Sequence, residues 1–228
     1  MATSRTDKAW GTQAASEHRW PASLAVLVAA GLNFVLPKEY TMGPPWVVPA
    51  LVLVILIPLT VTAPRRVPNE LRWHQIAAVV LIAIVNVANV VSLGLLIRQL
   101  VTNGKSVTGS DLLVSALAIW ITNVIVFGLW FWEVDRGGPD ERLREDHGAP
   151  DFLFPQMISP GCAQADWSPQ FIDYLYVAFT NATAFSPTDT LPLSRWAKAI
   201  FLVQSAISLV TVALVISRAV NIFHSGGS

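Results

Sequence analysis

SPQFIDYLYVAFTNATAFSPTDTLPLSRWAKAIFLVQSAISLVTVALVISRAVN, residues 168–221, decides how the chain is built. Ser168 is a good N-cap and Pro169 suits the first helical position. From Phe171 the segment is apolar for about a dozen residues, too few to cross a bilayer as a helix. Asn181, Thr183, Ser186, Pro187, Thr188 and Asp189 then interrupt it, and Pro192 closes the turn. Trp196 opens a second, much longer apolar run. A half-length helix, an irregular turn and a full-length helix form a re-entrant loop. Irregular backbone at membrane depth is tolerated only inside protein or against a water-filled cavity. Function is therefore expected to centre here.

Two resemblances attach to these residues. NATAFSPTDTLPLSRWAK, residues 181–198, resembles the pore loop of potassium channels, TATTVGYGDxxPVTxWGR, without a gap. Ala182, Thr183, Asp189, Pro192 and Trp196 match outright, and Leu193, Ser194, Ala197 and Lys198 match in kind. The filter departs from the pattern: Phe185, Ser186, Pro187 and Thr188 replace V-G-Y-G, and Ala184 lacks the hydroxyl that precedes it. Asp173, Tyr174, Tyr176, Ala178, Phe179 and Thr180 are similar to the ending D-F-x-Y-x-A-F-T. That ending marks a widespread, uncharacterised family of bacterial inner-membrane proteins, which implies location but no activity. The channel resemblance implies a constriction at Thr183, Ala184, Phe185, Ser186, Pro187, Thr188 and Asp189, closed by four copies.

Composition supports a membrane protein. A chain of 228 residues that is 53% hydrophobic and 13% charged is too apolar for an ordinary soluble domain. Zero formal net charge offers no basic field for nucleic acid. A single cysteine, Cys162, excludes an internal disulfide framework, and four scattered histidines, His18, His74, His147 and His224, argue against a metal site. No cofactor is expected.

In chain order, residues 1–19 form a polar amino-terminal segment preceding a signal-anchor-like span rather than a cleaved signal peptide. Spans are expected at 20–37, 46–63, 75–100, 111–133 and 195–222, with the half-length helix at 169–183. The chain thus divides into the amino-terminal segment, a four-helix part at 20–133, a polar loop at 134–168 and the re-entrant unit at 169–228. Residues 38–45 read as a tight polar turn. Asn86, Asn89 and Ser92 share one stripe of the third span and read as interhelical glue, with a polar path as the alternative. Phe127, Trp130, Phe131 and Trp132 read as an interfacial aromatic belt.

In the long loop, Glu133, Asp135, Asp140, Glu141, Glu145, Asp146 and Asp151 outnumber Arg136, Arg142 and Arg144. Such a cluster reads as solvated, or alternatively as a cation-gathering vestibule. With no nucleophile, histidine partner or oxyanion motif beside it, catalysis is not expected. Asn181-Ala182-Thr183 matches a glycosylation sequon by chance. On the last helix Gln204, Ser208, Thr211, Val215 and Arg218 recur at spacings of four and three, forming one mostly polar face. This face is expected to line a central path, or else to pack against sister helices.

The expected protein is an all-α integral membrane protein with five spans and one re-entrant helix, assembled as a channel-like tetramer. It would conduct a small ion passively, a cation by preference, without potassium-type selectivity. A non-conducting scaffold that keeps the pore-loop architecture is the alternative, and a membrane enzyme a distant third. Arg5, Lys8, Arg19, Arg65, Arg66, Arg72, Arg136, Arg142, Arg144, Arg195 and Lys198 fall on one side of such a topology. Lys38, Arg98, Lys105 and Arg218 fall on the other. The positive-inside rule then places the amino terminus and the re-entrant loop in the cytoplasm of a bacterial inner membrane.

Overall fold

Runs of Leu, Ile, Val and Ala favour the structure that satisfies its own backbone, and helix dominates the computed structural model. It describes residues 17–41, 43–62, 72–102, 109–144, 148–159, 161, 167–183 and 189–225. Among them are helices α1 (Trp20–Gly31), α2 (Val47–Thr62), α3 (Arg72–Thr102) and α4 (Gly109–Val134). A single turn, α5 (Pro155–Ile158), precedes α6 (Phe171–Thr183) and α7 (Arg195–Ser225). Strands β1 (Phe152–Leu153) and β2 (Leu191–Pro192) pair antiparallel, Phe152 opposite Pro192 and Leu153 opposite Leu191.

Three helices are long and apolar enough to cross a membrane, over Trp73–Thr102, Ser110–Gly137 and Arg195–Ser217, with mean hydropathy of 2.5, 2.3 and 2.5. The first two expected spans are shorter apolar helices. With 12 and 16 residues, α1 and α2 reach about 18 and 24 Å against about 30 Å of hydrocarbon. A 3₁₀ turn at Leu32–Phe34, ahead of Pro37, ends α1 early. Conversely, α3 and α7 run beyond the expected 75–100 and 195–222.

The core gathers around α4, which packs against α1, α3, α6 and α7. Of its apolar window 72% is buried, against 17% for α7. Val124, Val126, Phe127, Leu129 and Phe131 of α4 meet Val26 and Ala29 of α1, Leu81 and Val85 of α3, and Tyr174, Val177 and Ala178 of α6. Gly128 permits the closest approach: a Cβ there would stand 3.0 Å from Leu175 Cα and 3.2 Å from Leu175 Cδ1 of α6.

The expected polar turn at 38–45 has a different character. A 3₁₀ turn at Lys38–Tyr40 drives Tyr40 inward, fully buried among Leu36, Leu93, Leu96, Ala116 and Ile119. Among the described residues its hydroxyl has no hydrogen-bond partner. Burial pushes the phenol above its ordinary pKa, and the charges of Glu39 and Asp111 add to that.

Candidate functional site: the re-entrant unit

Amphipathic patterning seats α6. Phe171, Tyr174, Val177, Ala178 and Ala182 are buried, while Ile172, Tyr176 and Phe179 remain exposed. The helix starts at Phe171, two residues past the position expected from Ser168 and Pro169, because other groups cap it. The Gln170 N–H donates to Asp173 Oδ2 at 2.8 Å and the Phe171 N–H to Glu17 Oε1 at 2.9 Å.

Described contacts fix the path of the chain. The Tyr174 hydroxyl donates to Asp135 Oδ2 at 2.5 Å, which places the start of α6 at the end of α4. The Asp151 N–H donates to Asp135 Oδ1 at 2.8 Å, and the Leu193 N–H donates to Asp151 O at 2.8 Å. So β2 and the start of α7 stand at that same end. Meanwhile Ala182, near the far end of α6, accepts from Ser208 Oγ. Ser208 lies about 20 Å along α7 from Arg195 at 1.5 Å per residue. α6 therefore runs from the α4 end toward Ser208, while β2 and the start of α7 stand at the α4 end.

Two polar joints hold α6, one at each end. At the start, the carbonyls of Trp132 in α4 and of Asp135 just past it accept from Arg142 Nη1 at 2.6 and 3.0 Å, so a guanidinium caps the helix where its dipole is negative. The same guanidinium carbon lies 5.2 Å from the Tyr174 ring centroid and 6.0 Å from that of Trp132. Asp151 Oδ2 accepts the Arg136 N–H at 2.9 Å, and Arg136 Nε lies 3.7 Å from Asp135 Oδ2. Arg136 adopts φ 55°, and Gly137 and Gly138 follow at 83° and 110°, the left-handed region where glycine is unstrained. These turns fold the loop back on itself. Asp135, Arg136, Asp140 and Arg142 are consequently buried, whereas the sequence suggested a solvated cluster. Phe131, Phe152 and Phe201 seal the joint, with Phe131 and Phe201 centroids 4.7 Å apart.

At the far end the joint is uncharged. Gln204 Nε2 donates to Ala178 O at 2.7 Å, and Asn181 Nδ2 donates to Gln204 Oε1 at 2.7 Å. Ser205 Oγ donates to Asn181 Oδ1 at 3.0 Å. From α4, Trp120 Nε1 donates to Ser208 Oγ at 2.8 Å and Asn123 Nδ2 to Gln204 O at 3.4 Å. Of the carbonyls that the C-terminus of α6 leaves open, that of Ala182 is satisfied by Ser208 Oγ.

The expected pore-lining face is thereby relocated. Gln204, Ser208 and Thr211 are 0%, 1% and 1% exposed within a single copy, facing α6 and α4 rather than an open path. Their polar groups complete α6 and the helix itself, since Thr211 Oγ1 donates to Ile207 O. Val215 is half-buried beside the Leu93, Leu96 and Ala116 cluster. Arg218 belongs to α7, and its side chain lies outside the described residues. Outward from α7 point Leu202, Val203, Leu209 and Ile216. Of the expected constriction, Thr183 ends α6, its Oγ1 donating to Thr180 O at 2.9 Å, and Asp189 is exposed. Ala184, Phe185, Ser186, Pro187 and Thr188 lie outside the described residues.

On α3, Asn89 and Ser92 are buried and Asn86 is half-buried, turned toward the bundle. Among the described residues Asn86 Oδ1 and Asn89 Nδ2 have no hydrogen-bond partner. Among the described residues no group of three or more His, Cys, Asp and Glu is placed to hold a metal ion. Several contributors were missed in the sequence: Glu17, Trp120, Asn123, Asp135, Arg142, Tyr174 and Gly128, with Asn181 set aside as a chance sequon. The spacing of Trp120 and Asn123, one helical turn apart, and a lone Gly128 inside an apolar run are the signals they left.

No family model, curated protein or solved structure matches the chain.

Proposed function

We propose that this membrane protein passes a small ion, a cation by preference, at the re-entrant turn of symmetric copies. The observation that carries this is the return of the chain to the α4 end after α6, with Thr183 left at depth. A helix that stops partway presents the negative end of its dipole to whatever lies beyond, which favours a cation. Irregular backbone at that depth requires either protein or water beside it. One copy does not enclose an axis, so several copies close the path. Four is the number that the pore-loop resemblance implies, and the positive-inside rule separately favours an amino terminus and loop on the cytoplasmic side of a bacterial inner membrane.

With Pro187 fixing its φ near −65° and Ala184 lacking a hydroxyl, a column of potassium-type carbonyl sites is not expected. Single-channel recording from purified protein in bilayers tests this. The expected outcome is cation current with potassium over sodium selectivity of no more than about a few-fold. Ser186→Gly should alter conductance more than Asn86→Ala. Strong potassium preference would show the filter to be misjudged.

The inward-facing Gln204, Ser208 and Thr211 favour a second reading, a non-conducting scaffold. On that reading the polar face serves only to hold α6. Silent bilayers from well-folded protein, with Ser186→Gly equally silent, would select it.

A further inference from the structure

We propose that Glu17 makes residues 17–19, just ahead of α1, a strap on α6, coupling their position to the seating of that helix. Its two carboxylate oxygens serve two different elements. Oε1 accepts the Phe171 N–H at 2.9 Å and Oε2 accepts the Trp132 indole N–H at 3.0 Å. Phe171 opens α6, so its N–H is among those a helix leaves without an internal partner.

Helices usually take this cap from the residue just ahead of them. Here it arrives from 154 positions away. A carboxylate at this point also meets the positive end of the helix dipole. Trp132 and Phe171 stand edge to face at 5.9 Å, and the Arg142 guanidinium lies over Trp132. The start of α1, the end of α4 and the start of α6 thus meet at one side chain. Drawing the segment ahead of α1 away from the bundle removes the cap of α6. By linkage, unseating α6 releases that segment in turn. The coupling holds whether or not the turn conducts.

Hydrogen exchange on the full chain in nanodiscs tests the strap. In Glu17→Ala, amides in the first turn of α6 should exchange roughly ten- to a hundredfold faster, the range expected for loss of a bond to a charged acceptor. Amides of α2 and α3 should be unchanged. Glu17→Gln keeps one acceptor oxygen and should restore part of the protection, while Trp132→Phe should give a smaller rise than Glu17→Ala. Unchanged exchange in α6, or an equal rise in every helix, overturns the strap. If Glu17→Ala fails to fold, Glu17→Gln decides: a rise confined to α6 supports the coupling and no rise refutes it.

Discussion

The two ends of α6 are held by different chemistry. At its start the partners are charged: Asp135, Arg142, Asp151 and Glu17, arranged around Tyr174 and Trp132. At its far end they are neutral: Asn181, Gln204, Ser205, Ser208 and the indole of Trp120. The contrast follows position along the long helices. The charged joint stands where α4 ends, while the neutral one lies about 20 Å along α7. Charges at the centre of a bilayer are expensive, whereas amides and hydroxyls are tolerated there when they bond one another. What is bought at each end also differs. The charged joint closes a loop of polar chain onto the bundle, and the neutral joint closes a helix terminus.

The largest effect should come from Asp135→Ala. It strips the acceptor from the Tyr174 hydroxyl and the Asp151 N–H and leaves buried Arg136 without its carboxylate. Breaking a buried pair in this way costs about 3–5 kcal/mol, read as loss of thermal stability in detergent. Next comes Gly128→Leu, which forces a side chain into the α6 backbone at Leu175 and should cost about 1–3 kcal/mol or more. Because Gly128 lies between the two joints, exchange should rise at both ends of α6.

Gln204→Leu removes the donor to Ala178 O and leaves Asn181 Nδ2 with only Phe201 O as acceptor, for about 1–3 kcal/mol. If it destabilises as much as Asp135→Ala, the distinction between the joints collapses. Ser208→Ala should cost about 1 kcal/mol or less.

Much of this was legible in the sequence, and the boundary of legibility is physical. The half-length α6 and long α7 follow from hydropathy and from Pro187 and Pro192, and the polar spacing of Gln204, Ser208 and Thr211 is plain. Which way that face turns was not, because a period gives a stripe and not its partner. The partner sits on α4 as Trp120 and Asn123, some 80 positions away. The charged joint was hidden for a related reason. Asp135, Arg136 and Arg142 have the composition of a solvated loop, and only the left-handed turn at Arg136, Gly137 and Gly138 folds them inward. Nor does local sequence announce Glu17 as the cap of a helix so far away.

The smallest effect is expected at Tyr40, a buried polar group belonging to neither joint. Its neutral phenol is held above the ordinary pKa of about 10. The stability it contributes is complete below that pH and is lost as pH rises past it. Tyr40→Phe should be neutral or stabilising at pH 7, since the hydroxyl is unbonded, and should flatten the alkaline limb of the stability profile. A large loss at neutral pH would mean the hydroxyl has a partner after all.

Short helices at one edge of the bundle would shape the lipid around it if they cross the membrane beside the three long ones. Trp20 and Trp46, 65% and 60% exposed, stand at the starts of α1 and α2, at opposite ends of that hairpin, where aromatic rings settle at the headgroup level. Between them α2 offers only about 24 Å of apolar length, roughly 6 Å less than a hydrocarbon layer of about 30 Å, so a bilayer crossed by this hairpin would have to thin along this flank. The long α3 and α7 impose no such demand. The protein would therefore sit in a lopsided annulus, thin on one side and full on the other, at a cost of a fraction of a kcal/mol per Å. Shorter-chain lipids should raise its thermal stability, and neighbouring molecules should tend to meet along their thin flanks, where each spares the other some deformation of the membrane.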